Sequence, residues 1–85
     1  MPSILHKSFI KRYSRMDKKV QMAFIKRFDA FSKNPFDPTL ENHELHAEWS
    51  HHRSINVTGD IRAIYRTDGG ITIFVAIGTH SELYE

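Results

Sequence analysis

The spacing of apolar residues changes halfway along the chain, from the period of helices to that of strands. In the first half apolar residues recur three or four positions apart, which gives each of two helices one apolar stripe. They are Phe9, Ile10, Tyr13 and Met16 in the first helix and Val20, Phe24, Phe28 and Phe31 in the second. After Arg53 the apolar residues alternate or run continuously, as in strands. The sequence therefore predicts an α+β fold, with two N-terminal helices packed on a small antiparallel sheet.

Turn residues divide the second half into three predicted strands, over residues 53–57, 61–66 and 71–77. The turns are Thr58-Gly59-Asp60 and Asp68-Gly69-Gly70, and Gly78 is expected to end the last strand. A short extended start at Ile4 and Leu5 is expected to add a strand at an edge or beside the last strand. Asp17 is expected to cap the second helix, and Pro35 to end it near Asn34.

Length and composition limit the class of protein. Eighty-five residues suffice for one domain, expected over residues 1–85. The chain has no cysteine, which excludes disulfides and thiolate chemistry. No apolar run approaches the roughly 20 residues of a membrane span, and the N-terminus does not resemble a signal peptide. We therefore expect a cytoplasmic protein without membrane contact.

Basic residues are concentrated in the helical half. Residues 7–27 hold eight basic side chains and one acidic side chain, a net charge of +7, whereas residues 28–85 carry −5. Such a segment can bind a phosphate backbone or an acidic partner. It can equally be a solvated helix face, and charge alone does not separate these interpretations.

Six histidines suggest either a metal site or acid–base chemistry, and four of them fall in an expected loop over residues 43–52. His43 and His46 are three residues apart, not four as in a helical zinc motif, and the adjacent His51 and His52 would point apart in a strand. We therefore expect neither metal nor any other cofactor.

RNA cleavage suits the remaining side chains. In RNA the 2′-hydroxyl attacks the adjacent phosphate when a base removes the proton of that hydroxyl. An acid protonates the leaving 5′-oxygen, and a cation stabilises the charge on the phosphate. The proton carriers are His43 and His80, with Asp60 as a carboxylate, and the candidate phosphate ligands are Arg53, Arg62 and Arg66. Each of these is, alternatively, an ordinary surface residue. Trp49 is expected to fill the core, Tyr65 to pack in the core or across strands, and Tyr84 to stack on a nucleobase.

The second half of the chain resembles the RelE/ParE toxin superfamily, in particular its YafQ-like branch of mRNA interferases. Three segments carry the resemblance: HELHAEW, HHRSINVTGDIRAIYR and IFVAIGTHSELY. Together they contain a histidine before a tryptophan-containing turn, an arginine at the start of a strand, an acidic turn and a closing G-T-H-x-x-L-Y. The helical first half agrees in pattern.

The resemblance implies a role for individual residues. It makes His43, Asp60 and His80 catalytic, with His80 as the general acid at the scissile phosphate. It gives Arg53 a phosphate contact and Tyr84 the terminal aromatic position. Our substrate-binding set is completed by Asn56 and Arg62.

The chain departs from the family pattern at three positions. Asn56 stands where some members carry a further catalytic histidine, and asparagine exchanges no proton near neutral pH. Ala47 occupies a turn position that is usually glycine, and Ile61 replaces an aromatic residue after the aspartate.

The resemblance also implies partners. Such toxins pair with a cognate antitoxin in a hetero-oligomer, and many cleave mRNA on the ribosome, which would place residues 7–27 on ribosomal RNA. Two alternatives stay open: a gyrase inhibitor like the ParE toxins, and a family member that binds its antitoxin but no longer cleaves.

Overall fold

The computed structural model describes residues 2–84. A short strand, β1 (Ser3–Leu5), precedes the helices α1 (Lys7–Ser14) and α2 (Lys18–Lys33). The remaining elements are β2 (His43–Glu44), β3 (Arg53–Asn56), β4 (Ile61–Asp68), β5 (Ile71–Thr79) and the short helix α3 (His80–Tyr84). Single 3₁₀ turns at Pro38–Leu40 and Ala47–Trp49 lie on either side of β2.

The five strands form one mixed sheet in the order β1-β5-β4-β3-β2. This confirms the predicted α+β class, the two helices packed on a sheet and the short N-terminal strand. The sheet is mixed rather than antiparallel because β1 runs parallel to β5, with Ile4 opposite Ile73. β1 is thus both an edge strand and the neighbour of the last strand.

Two predictions for the second half were wrong. The segment 43–52 is not all loop, because His43 pairs with Ser54 and adds β2 at the far edge of the sheet. Gly78 does not end β5, because it pairs with Arg62 and the strand continues to Thr79. A side chain on Gly78 would place its Cβ 3.0 Å from Oε1 of Glu82, so this glycine serves close packing.

The helix ends and the β4–β5 turn follow the sequence more closely. α2 ends at Lys33 and Asn34 is extended, as Pro35 predicts. Gly69 and Gly70 have φ of 56° and 84°, which suits a two-residue hairpin turn. Asp17 occupies the N-cap of α2, but its side chain makes no capping hydrogen bond.

The core lies between the helices and one face of the sheet. The ring centroids of Phe9 in α1 and Phe24 in α2 are 5.0 Å apart, and both rings contact that of Phe74 in β5. Ile55 and Val57 belong to the same buried cluster, so the alternate residues Ser54 and Asn56 point to the opposite face. That opposite face carries the candidate site. No helix within residues 2–84 combines the length and the apolarity that a membrane span needs.

Candidate active-site cleft

A cleft of about 490 Å³ opens where the turn before β4 meets the end of β5. Ile61 pairs with Thr79 and Arg62 with Gly78, so the register of the two strands makes these segments neighbours. The cleft is lined by Gly59, Asp60, Arg62, Thr79, His80 and Ser81. Three residues predicted from sequence therefore share one cavity, although up to 20 positions separate them in the chain.

The turn that carries Asp60 is held by hydrogen bonds from both sides. Oγ1 of Thr58 accepts from the backbone N–H groups of Asp60 and Ile61, at 3.3 and 3.1 Å. Nη1 of Arg62 donates to the carbonyls of Thr58 and Gly59, each at 3.2 Å. A guanidinium has five N–H donors, so Arg62 can brace this turn and still donate into the cleft. The Asp60 side chain is exposed beside it.

His80 begins α3 and is exposed at the other side of the cleft. Its ring centroid lies 4.6 Å from that of Tyr84, and the two planes are inclined by 55°. Thr79 and Glu82 form a reciprocal capping box around the first turn. Oε1 of Glu82 accepts from Thr79 N at 2.8 Å, and Glu82 N donates to Oγ1 of Thr79 at 3.2 Å. The pKa of Glu82 is lowered mainly by the bond from the Thr79 backbone, so this carboxylate stays ionised at neutral pH.

Asn56 adjoins the cleft without lining it. It is half-buried and pairs with Arg62 across β3 and β4, so the two side chains share the face opposite the helices. Directly paired residues have Cβ atoms about 5 Å apart, so the Asn56 and Arg62 side chains begin beside each other on this face.

Arg53 is not brought together with these residues. It pairs with Tyr65, whose ring is buried against Phe31 and Phe74, so its side chain lies on the helix side of the sheet. Its Nε donates to Oδ1 of Asn42 at 2.7 Å. Its guanidinium carbon lies 5.3 Å from the centroid of Phe36. Arg53 is therefore a neighbour of the core.

His43 shares the face of Asn56 but lies apart from the cleft. It is exposed on β2, two strands from β4 and so about 10 Å from it. Its Nδ1 lies 2.9 Å from the carbonyl of Glu41. The cleft lining does not include it.

The remaining predicted residues are distributed along the sheet. Arg66 is half-buried on β4, opposite Ile73 and four residues beyond Arg62. Tyr65 is only 4% exposed, which confirms its packing role. The prediction that Trp49 fills the core was wrong, because it is half-buried outside the core cluster. Its Nε1 donates to the carbonyl of Leu83 at 2.8 Å, which fastens α3 to the turn Ala47–Trp49.

Three residues near His80 were missed from sequence: Thr79, Glu82 and Arg12. Thr79 and Glu82 have the T-x-x-E spacing of a capping box, which was available as a signal. The ion pair between Arg12 of α1 and Glu82 had no such signal, because it depends on how α1 packs beside α3.

Most basic residues of the helical half lie on the protein surface. Of the eight basic residues between positions 7 and 27, seven are exposed and Arg27 is half-buried, with Nε donating to the Val57 carbonyl at 3.4 Å. Within residues 2–84, no three histidine or carboxylate side chains are grouped as a metal site would need.

The chain is similar to several toxins of known structure. A copper-bound mutant toxin from Helicobacter pylori is 27% identical, with a TM-score of 0.71 over 99% of both chains. YafQ from Escherichia coli BL21(DE3) is 18% identical, with a TM-score of 0.73 over 98% of this chain and 97% of that one. A YoeB/ParE toxin from Agrobacterium tumefaciens is also 18% identical, with a TM-score of 0.76 over 94% and 99%. Because the last two proteins are only 18% identical, their similarity shows a shared fold and no more.

None of the curated protein sequences compared with the chain matches it. The profile of one family, described as the YafQ bacterial toxin of type II toxin-antitoxin systems, matches residues 3–85. That match spans nearly the whole chain, and the α+β fold with its five-stranded sheet agrees with it. The chain belongs to the YafQ family of type II toxins.

Proposed function

We propose that this toxin is an endoribonuclease that cleaves mRNA on the ribosome, with its own side chains supplying the acid–base chemistry. The observation that carries the proposal is the shared cleft of Asp60, Arg62 and His80. A carboxylate, a guanidinium and an imidazole are the three kinds of group that intramolecular phosphate transfer requires. Because they can supply the proton transfers and the charge stabilisation, the proposed reaction needs no metal.

The proposed reaction opens the phosphodiester in one displacement. Asp60 removes the proton of the 2′-hydroxyl, and the 2′-oxygen attacks the adjacent phosphorus. The bond from phosphorus to the 5′-oxygen breaks, and protonated His80 gives its proton to that leaving oxygen. Arg62 donates hydrogen bonds to the phosphate as charge develops on it. The products are a 2′,3′-cyclic phosphate end and a 5′-hydroxyl end.

The other residues predicted from sequence are proposed to bind RNA around the scissile phosphate. Asn56, beside Arg62, is proposed to hydrogen-bond the RNA, and Tyr84 to stack on a base next to the cleft. His43, on the same face, is proposed to contact RNA further from the scissile phosphate. The phosphate contact that the resemblance gives to Arg53 is proposed to fall to Arg62, because Arg53 is engaged by Asn42 and Phe36 on the helix side.

Antitoxin and ribosome are the proposed partners. Similar toxins have been solved in complexes, among them DinJ–YafQ from Escherichia coli and RelBE2 from Mycobacterium tuberculosis. By analogy we propose a cognate antitoxin that forms a hetero-oligomer with this chain in the cytoplasm. The exposed basic residues between positions 7 and 27 are proposed to rest on ribosomal RNA, where phosphates attract them, with the exception of Arg12, which is paired with Glu82.

The direct test is cleavage of mRNA on programmed ribosomes by the purified toxin. We expect fragments with 2′,3′-cyclic phosphate ends from the wild-type protein and a loss of at least 100-fold in rate for His80→Gln, since a positioned acid contributes about 10²–10⁴-fold. The matched control is His51→Asn, another exposed histidine, whose φ of 69° asparagine tolerates. Intact mRNA would contradict the proposal. Intact mRNA together with antitoxin binding would favour the alternative that Asn56 suggests, a toxin that binds its antitoxin but no longer cleaves. Inhibition of supercoiling by gyrase would favour the alternative of a ParE-like gyrase inhibitor.

A further inference from the structure

A chain of polar contacts joins the N-terminal helix α1 to the residue that precedes His80. Nη2 of Arg12 forms an ion pair with Oε2 of Glu82. The other oxygen of the same carboxylate, Oε1, accepts the backbone N–H of Thr79 at 2.8 Å. Glu82 therefore bridges α1 and the start of α3, and His80 is the residue that directly follows the fixed N–H.

The backbone of β5 provides the space for this bridge. A Cβ on Gly78 would lie 3.0 Å from Oε1 of Glu82 and 3.5 Å from Nη2 of Arg12, so the glycine lets the carboxylate and the guanidinium lie against the strand. α3 is also fastened through the bond from Trp49 to the Leu83 carbonyl. Contacts through Glu82 and Leu83 thus hold a helix of only five residues.

Stability alone does not account for the ion pair. The side chains of Arg12 and Glu82 are 46% and 45% exposed. Pairs this exposed contribute little to folding and are screened by salt. A contact that adds so little to the free energy of unfolding can still fix the direction of a short element, and a misplacement of about 1 Å at a reacting group can cost 10²-fold in rate.

We propose that Arg12 is a positioning residue that acts through Glu82 to hold His80 in the cleft. This inference rests on the proposed nuclease function, in which His80 is the acid. Arg12 touches neither the cleft nor the reacting phosphate, and it orients the carboxylate that fixes the Thr79 N–H. The basic helix α1 then influences the rate of the chemical step, beyond any contact with ribosomal RNA.

The competing explanation is that Arg12 simply binds RNA phosphate, as its basic neighbours would. The two explanations differ for Glu82→Gln. Removing an acidic charge strengthens a purely electrostatic RNA contact, whereas removing Arg12 weakens it. If the pair positions His80, both substitutions lower the rate, although they change the net charge in opposite directions.

The kinetic experiment measures single-turnover cleavage on programmed ribosomes by Arg12→Gln, Glu82→Gln and the double variant. We expect kcat to fall about 10-fold in each single variant while the half-saturating ribosome concentration changes less than 2-fold. The double variant should be no slower than the slower single variant, because the pair acts as one unit. The control for kcat is Lys33→Gln, which breaks an exposed ion pair with Asp29 outside the basic segment and should leave kcat unchanged. Lys11→Gln removes one of the charges proposed to rest on ribosomal RNA and shows the pattern of lost binding. A loss of binding shared by Arg12→Gln and Lys11→Gln, or a Glu82→Gln variant with wild-type kcat, would overturn the proposal.

A second measurement does not depend on cleavage. Hydrogen exchange of the Thr79 amide and the ring proton shifts of His80 are followed by NMR in the free protein. We expect exchange at Thr79 to rise at least 10-fold in Glu82→Gln and several-fold in Arg12→Gln. The His80 shifts should move in both of these variants and stay unchanged in Lys11→Gln.

The NMR result separates the two proposals. Unchanged exchange and shifts in Arg12→Gln would refute the positioning role. A wild-type toxin that fails to cleave would refute the nuclease function instead, and the NMR result would still decide whether Arg12 holds His80. Arg12→Lys, which keeps the charge but loses the planar fork, should give intermediate values and serves if Arg12→Gln does not fold.

Discussion

The rings of His80 and Tyr84 lie against each other across one turn of α3, with centroids 4.6 Å apart and planes inclined by 55°. The tyrosine thereby limits the orientations open to the imidazole, and it lines a separate hollow with the turn Ala47–Trp49. We predict that Tyr84→Ala lowers kcat/KM for mRNA cleavage about 10-fold, because base stacking on an aromatic side chain is worth about 1–3 kcal/mol. Single-turnover cleavage on ribosomes measures the effect.

The matched control for Tyr84 is phenylalanine. Tyr84→Phe keeps the stacking ring and removes only the hydroxyl, so its cleavage rate should stay within about 2-fold of wild type. If Tyr84→Ala cleaves as fast as the wild-type toxin, the ring neither stacks on RNA nor steadies His80.

A gain of activity is expected from Asn56→His. Asn56 pairs with Arg62 on the face that borders the cleft. By the resemblance drawn from the sequence, it stands where some YafQ-like toxins carry a proton-exchanging histidine. An imidazole there can act as the base near neutral pH, which an amide cannot. We predict a kcat at least 3-fold above that of the wild-type toxin at pH 7.

Asn56→Gln is the comparison for that gain, since it changes size but adds no titratable group. The pH profile separates the two: Asn56→His should introduce a new inflection between about pH 5 and 8, where histidine titrates. Equal rates for the wild type, Asn56→His and Asn56→Gln across this range would show that an imidazole at position 56 does not contribute to cleavage.

Much of the fold could be predicted from short-range pattern, and the exceptions have physical causes. The extent of α2 follows from the spacing of its apolar residues and from Pro35, and the β4–β5 turn follows from the pair Gly69 and Gly70. β2 could not be predicted from its own two residues, because partner β3 defines it. The same alternation that predicts β3 puts Arg53 on the side of Ile55, so its distance from the cleft was in principle predictable.

The cleft itself depends on an irregularity that the sequence does not reveal. The β4–β5 register shifts between Ile64 and Tyr65, so that Tyr65 pairs with Phe74 and Ile64 with Ala76. Without this bulge, Ile61 would oppose Gly78, one residue short of Thr79. A one-residue slip turns side chains to the other face of a sheet, so the bulge decides which residues meet.

The stability of the toxin should depend on the ionised form of Glu82. The bonds from Thr79 and the charge of Arg12 lower its pKa below the ordinary value of 4.5. A depressed folded-state pKa means that the stabilisation is fully present above pH 4.5 and disappears as the pH falls through the lowered value. We therefore predict that Glu82→Gln is less stable than wild type at pH 7 and that the difference shrinks below about pH 4.5, as measured by urea unfolding at stepped pH.

Asp37→Asn provides the comparison for that pH series. Hydrogen bonds from Thr39 lower the pKa of Asp37 from its ordinary 3.8, so its contribution should begin to fall at a lower pH than that of Glu82. A stability difference for Glu82→Gln that is the same at about pH 3 and pH 7 would show that the ionised carboxylate does not stabilise the folded state.

Ala47 is held in a conformation that suits glycine, with φ of 56°. A left-handed residue with a Cβ costs roughly 1–2 kcal/mol, whereas the extra chain entropy of glycine costs roughly 0.5–1 kcal/mol. Ala47→Gly should therefore raise the free energy of unfolding by about 0.5–1 kcal/mol and Tm by about 3 °C, measured by calorimetry. The same substitution inside α2, Ala23→Gly, should lower stability by about 1 kcal/mol, because helical backbone disfavours glycine. A fall in Tm for both variants would mean that the turn before Trp49 stores no strain.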